Sequence, residues 1–136
     1  RCGADITRVR KMFRDDMASY RAKAEAMRKA EVYRKEYAIA ECPSDIESPT
    51  VLAAQTANEL LDISGIKASF VLTVYEGKIY LSARSIDEVN VQIIAEKLGG
   101  GGHINSAGAQ FDHTNIQEVI TILKETIDEM IEEGDI

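Results

Sequence analysis

The stretch IKASFVLTVYEGKIYLSARS, residues 66–85, contains two strand-like runs joined by a turn. The first run, residues 70–74, is almost wholly apolar and rich in residues that favour strands, which predicts a strand buried on both faces. Glu76 and Gly77 supply the turn between the two runs. The stretch therefore predicts a β-hairpin whose first strand is covered from both sides.

The returning half of this hairpin alternates between apolar and polar residues. Successive side chains of a strand point to opposite faces, so the alternation separates an apolar face from a polar face. The apolar face contains Ile79, Leu81 and Ala83. The polar face contains Tyr80, Ser82 and Arg84. Because Ser82 and Arg84 lie on one face, both side chains can point at the same ligand.

Helical and strand patterns alternate on either side of the hairpin. Helices are predicted over residues 5 to about 31, 49–64, 90–98 and 115–133, from apolar residues at helical spacing. Their expected N-caps include Ser48, Asn90 and Thr114. Further strands are predicted at residues 31–34, 37–41 and 107–111. This order predicts an α/β fold in which a mixed β-sheet is flanked by helices, with a long N-terminal connecting helix.

The composition excludes several classes of function. The 136 residues carry a net charge of −7, which argues against general DNA binding because nucleic-acid backbones require a basic surface. No apolar run approaches the roughly 20 residues that span a bilayer, and no signal peptide is evident, so a cytoplasmic domain is expected. Cys2 and Cys42 form no metal-binding pattern, and two reduced thiols are expected rather than one disulfide.

A run of four glycines followed by a histidine, residues 99–103, is the most unusual feature of the chain. Gly99 is explained as the left-handed cap of the preceding helix. Ordering the other three costs roughly 0.5–1 kcal/mol each relative to alanine. A flexible linker is one explanation, but the run continues directly into a strand. Glycines also let a ligand approach the backbone amides, so Gly100, Gly101 and Gly102 are predicted to bind substrate.

The charge that would hold an anion here must come from side chains. The glycine run follows a helix, and the end of that helix carries a partial negative charge. His103 and Arg84 are therefore the predicted donors to a phosphate, with Ser82 as a further contact on the face of Arg84. Asn105 and Ser106 extend the polar group past His103 and are predicted to contact a base or sugar. A structural histidine and a surface arginine remain the alternatives, and for Ser82 a structural role is the stronger alternative. Since no cluster of metal ligands is evident, the chain is predicted to bind phosphate without cleaving it.

The segments SARS and NVQIIAEKLGGGGHINSAGAQ resemble the DHH-associated C-terminal domain of DHH-family phosphoesterases. Within that family the likeness is greatest to the GdpP type of cyclic di-AMP phosphodiesterase. The resemblance implies an N-terminal DHH domain that holds two metal ions, typically manganese, and a membrane-anchored longer protein that hydrolyses cyclic di-AMP to pApA. It also implies that Gly100, Gly101, Gly102 and His103 form the substrate-binding loop and that Arg84 contacts a phosphate.

The same resemblance divides the chain into two parts. Residues 1–35 would be a helical connector from the absent DHH domain, and residues 36–136 would be the substrate-binding domain. No catalytic residue, metal ligand or cofactor is expected in this chain, and it should be inactive alone. The expected partners are a cyclic dinucleotide or short oligonucleotide and the DHH domain of the same protein.

Two other functions remain open at this point. A nanoRNase-like or RecJ-like domain would act on short linear oligonucleotides through the same loop. A non-catalytic interaction domain would form a homodimer through the acidic final helix. A domain of the alanyl-tRNA synthetase kind is disfavoured by His103 and by the acidic composition.

Overall fold

The computed structural model describes residues 17–87 and 89–134, which form an α/β fold with six strands and four helices. The strands are β1 Glu31–Tyr33, β2 Tyr37–Glu41, β3 Ala68–Tyr75, β4 Lys78–Ser85, β5 Gly101–His103 and β6 Ser106–Phe111. The helices are α1 Met17–Arg28, α2 Pro49–Leu60, α3 Val91–Lys97 and α4 Ile116–Glu133.

The six strands form one mixed sheet in the order β1-β2-β3-β4-β6-β5. β2 and β3 run parallel, joined through α2, and every other neighbouring pair is antiparallel. The predicted α/β class with a mixed sheet is therefore confirmed.

The hairpin of β3 and β4 occupies the middle of the sheet. Its turn places Glu76 at φ 52° and Gly77 at φ 80°, the pair of positive values that a two-residue type I′ turn requires. Phe70, Val71 and Leu72 have no exposed surface, as predicted for a strand covered on both faces. The pattern fails only at Val74, which is 38% exposed because the hairpin extends past the helices at its turn.

Two apolar cores lie on opposite faces of the sheet. On one face α3 and α4 cover the alternate residues of β3, β4 and β6, with Phe70, Leu81 and Ala107 in the same cluster as Leu123. On the other face α1 and α2 pack against β2 and β3 through a smaller cluster that includes Val71. This second layer does not extend over β6 and β5, so the sheet is left open there.

Two helix starts agree with the sequence only in part. α2 begins after Ser48 with Pro49 in its first turn, but the Ser48 hydroxyl makes no capping hydrogen bond. At α4 the prediction of Thr114 as N-cap is wrong by one residue. Asn115 is the N-cap, and its side-chain oxygen accepts a hydrogen bond from the Glu118 N–H at 2.9 Å. The Asn90 cap of α3 is confirmed, with a bond of 3.2 Å from the Ile93 N–H.

The N-terminal helix is described only from Met17, so residues 5–16 of the predicted helix lie outside the described part of the chain. Ala26 of α1 is buried in the smaller core, and β1 pairs with β2 throughout its length. α1 and β1 therefore pack as part of the same unit as the remaining elements. The division at residue 35 concerns a longer protein and stays a prediction. None of the described helices has the length and apolar character needed to cross a membrane.

Cys42 is expected to resist thiol reagents until the chain unfolds. Its side chain is 2% exposed, its Sγ lies 3.4 Å from the Thr56 Oγ1, and burial raises the pKa of the thiol. Burial thus keeps reagents from the sulfur, and as the larger influence on the pKa it also disfavours the reactive thiolate. In a Cys2→Ser variant, labelling of Cys42 should be slower than in urea by about two orders of magnitude or more. Labelling at the same rate with and without urea would contradict the burial.

Candidate functional site

Arg84 and His103 lie on the same face of the sheet, on either side of Ser106. Arg84 pairs with Ser106 across β4 and β6, and His103 pairs with Ser106 across β5 and β6. Directly opposed residues in antiparallel strands point to the same face. Since neighbouring strands are roughly 4.8 Å apart, the backbones of Arg84 and His103 are separated by about 10 Å. We call Arg84, Ser106 and His103 the charged row.

Two further rows run parallel to the charged row on this face. Ser82 pairs with Gly108, and Gly108 pairs with Gly101. We call these three residues the small row. Beyond it, Tyr80 pairs with Gln110, and these two form the aromatic–amide row. Each row begins on β4, which packs against α2, and extends across β6, where α1 and α2 leave this face of the sheet open.

A cavity of about 590 Å³ lies over the small row and the aromatic–amide row. Its lining includes Tyr80, Ser82, Gly101 and Gln110, and Thr50 of α2. The charged row is not part of this lining and borders the small row one step farther along the strands. A ligand that spans both regions would place a charged group against the charged row and the remainder in the cavity.

Arg84 is a partly buried cation without a carboxylate partner in the described residues. Its Nη1 donates to the Ala83 carbonyl oxygen at 2.9 Å, and burial lowers the pKa of the guanidinium. By contrast, Glu25 and Asp128 raise the pKa values of Arg28 and Arg34 through hydrogen-bonded ion pairs. A guanidinium remains charged even under partial burial. Arg84 is therefore an uncompensated positive charge beside the cavity, which an anionic ligand would stabilise.

Three of the four glycines in the run are required by the fold. Gly99 has φ +90°, in the left-handed region. Gly102 has φ +148°, and a Cβ there would lie 2.5 Å from the Ser106 carbonyl oxygen. A Cβ at Gly100 would overlap the Gly108 carbonyl oxygen. Gly101 differs, since it has no positive φ and a Cβ would meet nothing within 4 Å. Only Gly101 is left without a structural reason for being glycine.

Most backbone amides of the run are already used within the protein. Gly99 and Gly100 donate to carbonyl groups at the end of α3, at 3.1 and 2.7 Å. The Ser85 N–H donates to the Asn105 carbonyl, and the alternation of hydrogen-bonded pairs then assigns Gly101 and His103 to bonds with β6. The Gly102 N–H alone points away from the sheet. The run therefore offers a ligand one outward amide rather than a series of them.

The sequence argument about helix dipoles was incomplete. α3 does end at the glycine run, so its negative end is the nearest one along the chain. In space, however, Thr50 from the first turn of α2 also lines the cavity. Because the Ser48 side chain does not cap this helix and Pro49 has no N–H, the N–H groups of Thr50 and Val51 lack intrahelical partners. A partial positive charge therefore adds to that of Arg84.

The two remaining predicted residues are placed differently from each other. Ser82 lies in the small row and lines the cavity, as the strand alternation predicted. Asn105 lies in the turn between β5 and β6, where its Nδ2 donates to the Ser85 Oγ at 2.9 Å and to the Asp87 carbonyl oxygen at 3.3 Å. These bonds hold the turn against the segment before α3. The Asn105 amide donors are therefore occupied, and a role in ligand contact stays a prediction.

Three residues at this surface were not predicted from the sequence as site residues: Thr50, Tyr80 and Gln110. Ser106 was predicted with Asn105 as a polar contact to a base or sugar, and it lies in the charged row. Tyr80 was recognised as sharing the face of Arg84, but it received no role. Gln110 follows Ser106 and Gly108 at a spacing of two along β6, and this period was the available signal for Gln110. Thr50 reaches the cavity through packing between α2 and the sheet, for which the sequence offers no local signal.

The described residues contain no group of three or more histidine, cysteine, aspartate or glutamate side chains placed to hold a metal ion.

The fold and this surface define an α/β domain with an open, polar half-face on its central sheet. The chain belongs to the DHHA1 domain family, whose pattern matches residues 35–129. The resemblance to the DHH-associated domain is thereby confirmed.

Two curated relatives align with nearly the whole chain. The cyclic-di-AMP phosphodiesterase GdpP of Geobacillus thermodenitrificans is 40% identical over 133 residues, covering 97% of this chain and 20% of the relative. The cyclic-di-AMP phosphodiesterase PdeA of Listeria monocytogenes is 39% identical over 127 residues, covering 93% of this chain and 19% of the relative. The chain thus spans about a fifth of the length of these relatives.

Among solved structures, an exopolyphosphatase-related protein from Bacteroides fragilis has the same fold. The two superimpose with a TM-score of 0.78 at 19% sequence identity, over 89% of this chain and 37% of the other. At that level of identity the similarity concerns the fold alone.

Proposed function

We propose that this chain is the nucleotide-phosphate-binding domain of a cyclic di-AMP phosphodiesterase. The observation that carries the proposal is the charged row, in which Arg84 lacks a carboxylate partner among the described residues and shares a face with His103 beside a cavity. The names of the relatives that are about 40% identical support cyclic di-AMP as the substrate of the longer protein.

Each residue of the proposed site has a distinct part in binding. Arg84 offers a planar guanidinium that can bind two phosphate oxygens at once. His103 is exposed on the other side of Ser106 and supplies a second side-chain donor. Gly101 leaves open space above the sheet, so the ligand can approach the backbone. In the longer protein these contacts would fix the phosphate in position, while the metal chemistry that activates water would belong to the DHH domain.

Isothermal titration calorimetry of this chain with three ligands tests the proposal. Cyclic di-AMP should bind more tightly than pApA or a short linear RNA. Tightest binding of the linear RNA would instead favour an oligonucleotide phosphodiesterase. If none of the three binds, the proposed function is wrong. Chromatographic mass with and without cyclic di-AMP would show in the same samples whether the chain forms a homodimer through the acidic α4.

Replacing His103 with alanine should weaken cyclic di-AMP binding by roughly 10- to 100-fold, the value of one hydrogen bond to a charged group. The melting temperature should not change, because His103 is exposed and makes no side-chain hydrogen bond within the described residues. His113→Asn is the matched control, since His113 has φ +57° and asparagine tolerates that region. Equal affinity of His103→Ala and the unaltered chain would remove His103 from the site.

A further inference from the structure

Tyr80 and Gln110 lie together at the end of the cavity that is farthest from Arg84. They are directly paired across β4 and β6, and both line the cavity. Their row is four residues from the charged row along β4, which corresponds to roughly 13 Å of strand. That length is close to the extent of one nucleotide, from its phosphate to the far edge of its base.

The small row between them leaves room for a sugar. It contains two glycines, Gly101 and Gly108, with Ser82 as the one residue that has a side chain beyond a hydrogen atom. A Cβ at Gly101 would enter open space. The face thus changes along the strands from charged, to nearly bare, to aromatic and amide. The same order of chemistry is found along a nucleotide, as phosphate, ribose and base.

Tyr80 has the geometry of a stacking platform. Its ring forms a T-shaped contact with the Tyr75 ring, with ring centroids 6.0 Å apart and an interplanar angle of 63°. A T-shaped contact restrains the Tyr80 ring and involves at most one of its two faces. Tyr80 is partly buried and lines the cavity, so the contact with Tyr75 is compatible with an accessible ring face. Aromatic side chains of this kind stack on unpaired bases.

Gln110 adds a means of distinguishing between bases. Its side chain is exposed and makes no hydrogen bond within the described part of the protein. A glutamine amide can donate to N7 and accept from the N6 amino group of adenine in one bidentate contact. Guanine presents two acceptors, O6 and N7, along the same edge, which an arginine or lysine fits better.

We propose that Tyr80 and Gln110 form a base subsite that selects adenine, with Tyr80 stacking on the ring and Gln110 reading its N6–N7 edge. This inference rests on the proposed function, because it assumes that the charged row holds the phosphate of the same nucleotide. It adds the residues that would determine base specificity.

The test is a titration of the 136-residue chain with AMP, GMP and ribose 5-phosphate. Calorimetry measures the affinities, and the NMR signals of the tyrosine rings report on contact with the base. The unaltered chain should bind AMP more tightly than GMP. Tyr80→Leu should weaken AMP binding by roughly tenfold or more and leave ribose 5-phosphate binding unchanged. Tyr80→Phe should retain AMP affinity, since it keeps the ring. Tyr20→Leu, at a tyrosine 61% exposed on α1, is the matched control.

Gln110→Leu tests base selection through the ratio of AMP affinity to GMP affinity, which a merely structural role of Gln110 would not change. It should reduce the preference for AMP over GMP to about equal affinity, while Gln117→Leu on exposed α4 surface should preserve that preference. Unchanged AMP affinity in Tyr80→Leu, or unchanged base preference in Gln110→Leu, would overturn the subsite and leave the phosphate site standing. Failure of the unaltered chain to bind AMP and cyclic di-AMP would overturn both proposals.

Discussion

Gly102→Ala is expected to lower the free energy of unfolding by about 3 kcal/mol, whereas Gly101→Ala should lower it by less than about 1 kcal/mol. At Gly102 the backbone has φ +148°, and a Cβ would lie 2.5 Å from both the Ser106 carbonyl oxygen and the Ala107 Cα. A side chain in a left-handed conformation costs about 1–2 kcal/mol, and overpacking against backbone adds about 1–3 kcal/mol. Neither cost applies at Gly101, whose Cβ would enter open space.

Urea unfolding of the two variants measures this difference, because the two positions are adjacent and the substitution is the same. Equal destabilisation would show that the run is constrained as a unit rather than residue by residue. Gly101→Ala should nevertheless weaken cyclic di-AMP binding by about tenfold, since the added methyl would occupy the space left for the ligand. A stable Gly101→Ala variant with full affinity would mean that the ligand does not approach this glycine.

Arg84→Met is expected to weaken cyclic di-AMP binding by about 100-fold or more without lowering the melting temperature. Two hydrogen bonds from a guanidinium to phosphate, each worth about 1.5–3 kcal/mol, account for the loss. Stability should be unchanged or slightly higher, because burial disfavours the Arg84 charge and no carboxylate in the described chain compensates for it. The Ala83 carbonyl would lose one donor, but it keeps its place in the ladder with β6.

Calorimetry and thermal melting of Arg84→Met, with Arg21→Met on the exposed surface of α1 as control, would check both halves of this expectation. The cyclic di-AMP affinity of Arg84→Lys should fall between that of the unaltered chain and that of Arg84→Met, since lysine keeps the charge and loses the planar fork. Raising the salt concentration should weaken binding by the unaltered chain more than by Arg84→Met. A large drop in melting temperature with intact affinity would make Arg84 a structural residue.

The hairpin could be predicted from the sequence because its information is local. The alternation of apolar and polar residues after the Glu76-Gly77 turn was enough to predict that Leu81 faces the core and Arg84 lies on the opposite face. The adjacency of Arg84 and His103 could not be predicted in the same way. It depends on β6 lying between β4 and β5, and on Ser106 pairing with both residues. Pairing of strands is a non-local property, so the sequence suggested the two residues without their arrangement.

The glycine run shows a second limit of sequence reasoning. Composition indicated that four consecutive glycines are costly, and it favoured a ligand as their common explanation. In the structure the four glycines have different explanations. Gly99 and Gly102 have positive φ, and a Cβ at Gly100 or Gly102 would collide with β6. Where a Cβ would collide depends on the packing of β5 against β6, which is not a local property of the sequence. Gly101 is therefore the glycine of the run for which space for a ligand is the remaining explanation. Gly99 was the one position explained from the sequence, as the left-handed cap of the preceding helix.

The short length of β5 has a consequence for amide hydrogen exchange. β5 is a three-residue strand at the sheet edge, bonded on one side to β6, whereas β4 lies between two long partners. Amides of β4 should exchange only when the whole domain unfolds, and the outward amide of Gly102 should exchange from the native state. The proposed ligand surface thus joins one of the most slowly exchanging strands to one of the fastest. A bound ligand should slow exchange at both strands, by covering the Gly102 amide and by raising the free energy of the global unfolding through which the β4 amides exchange.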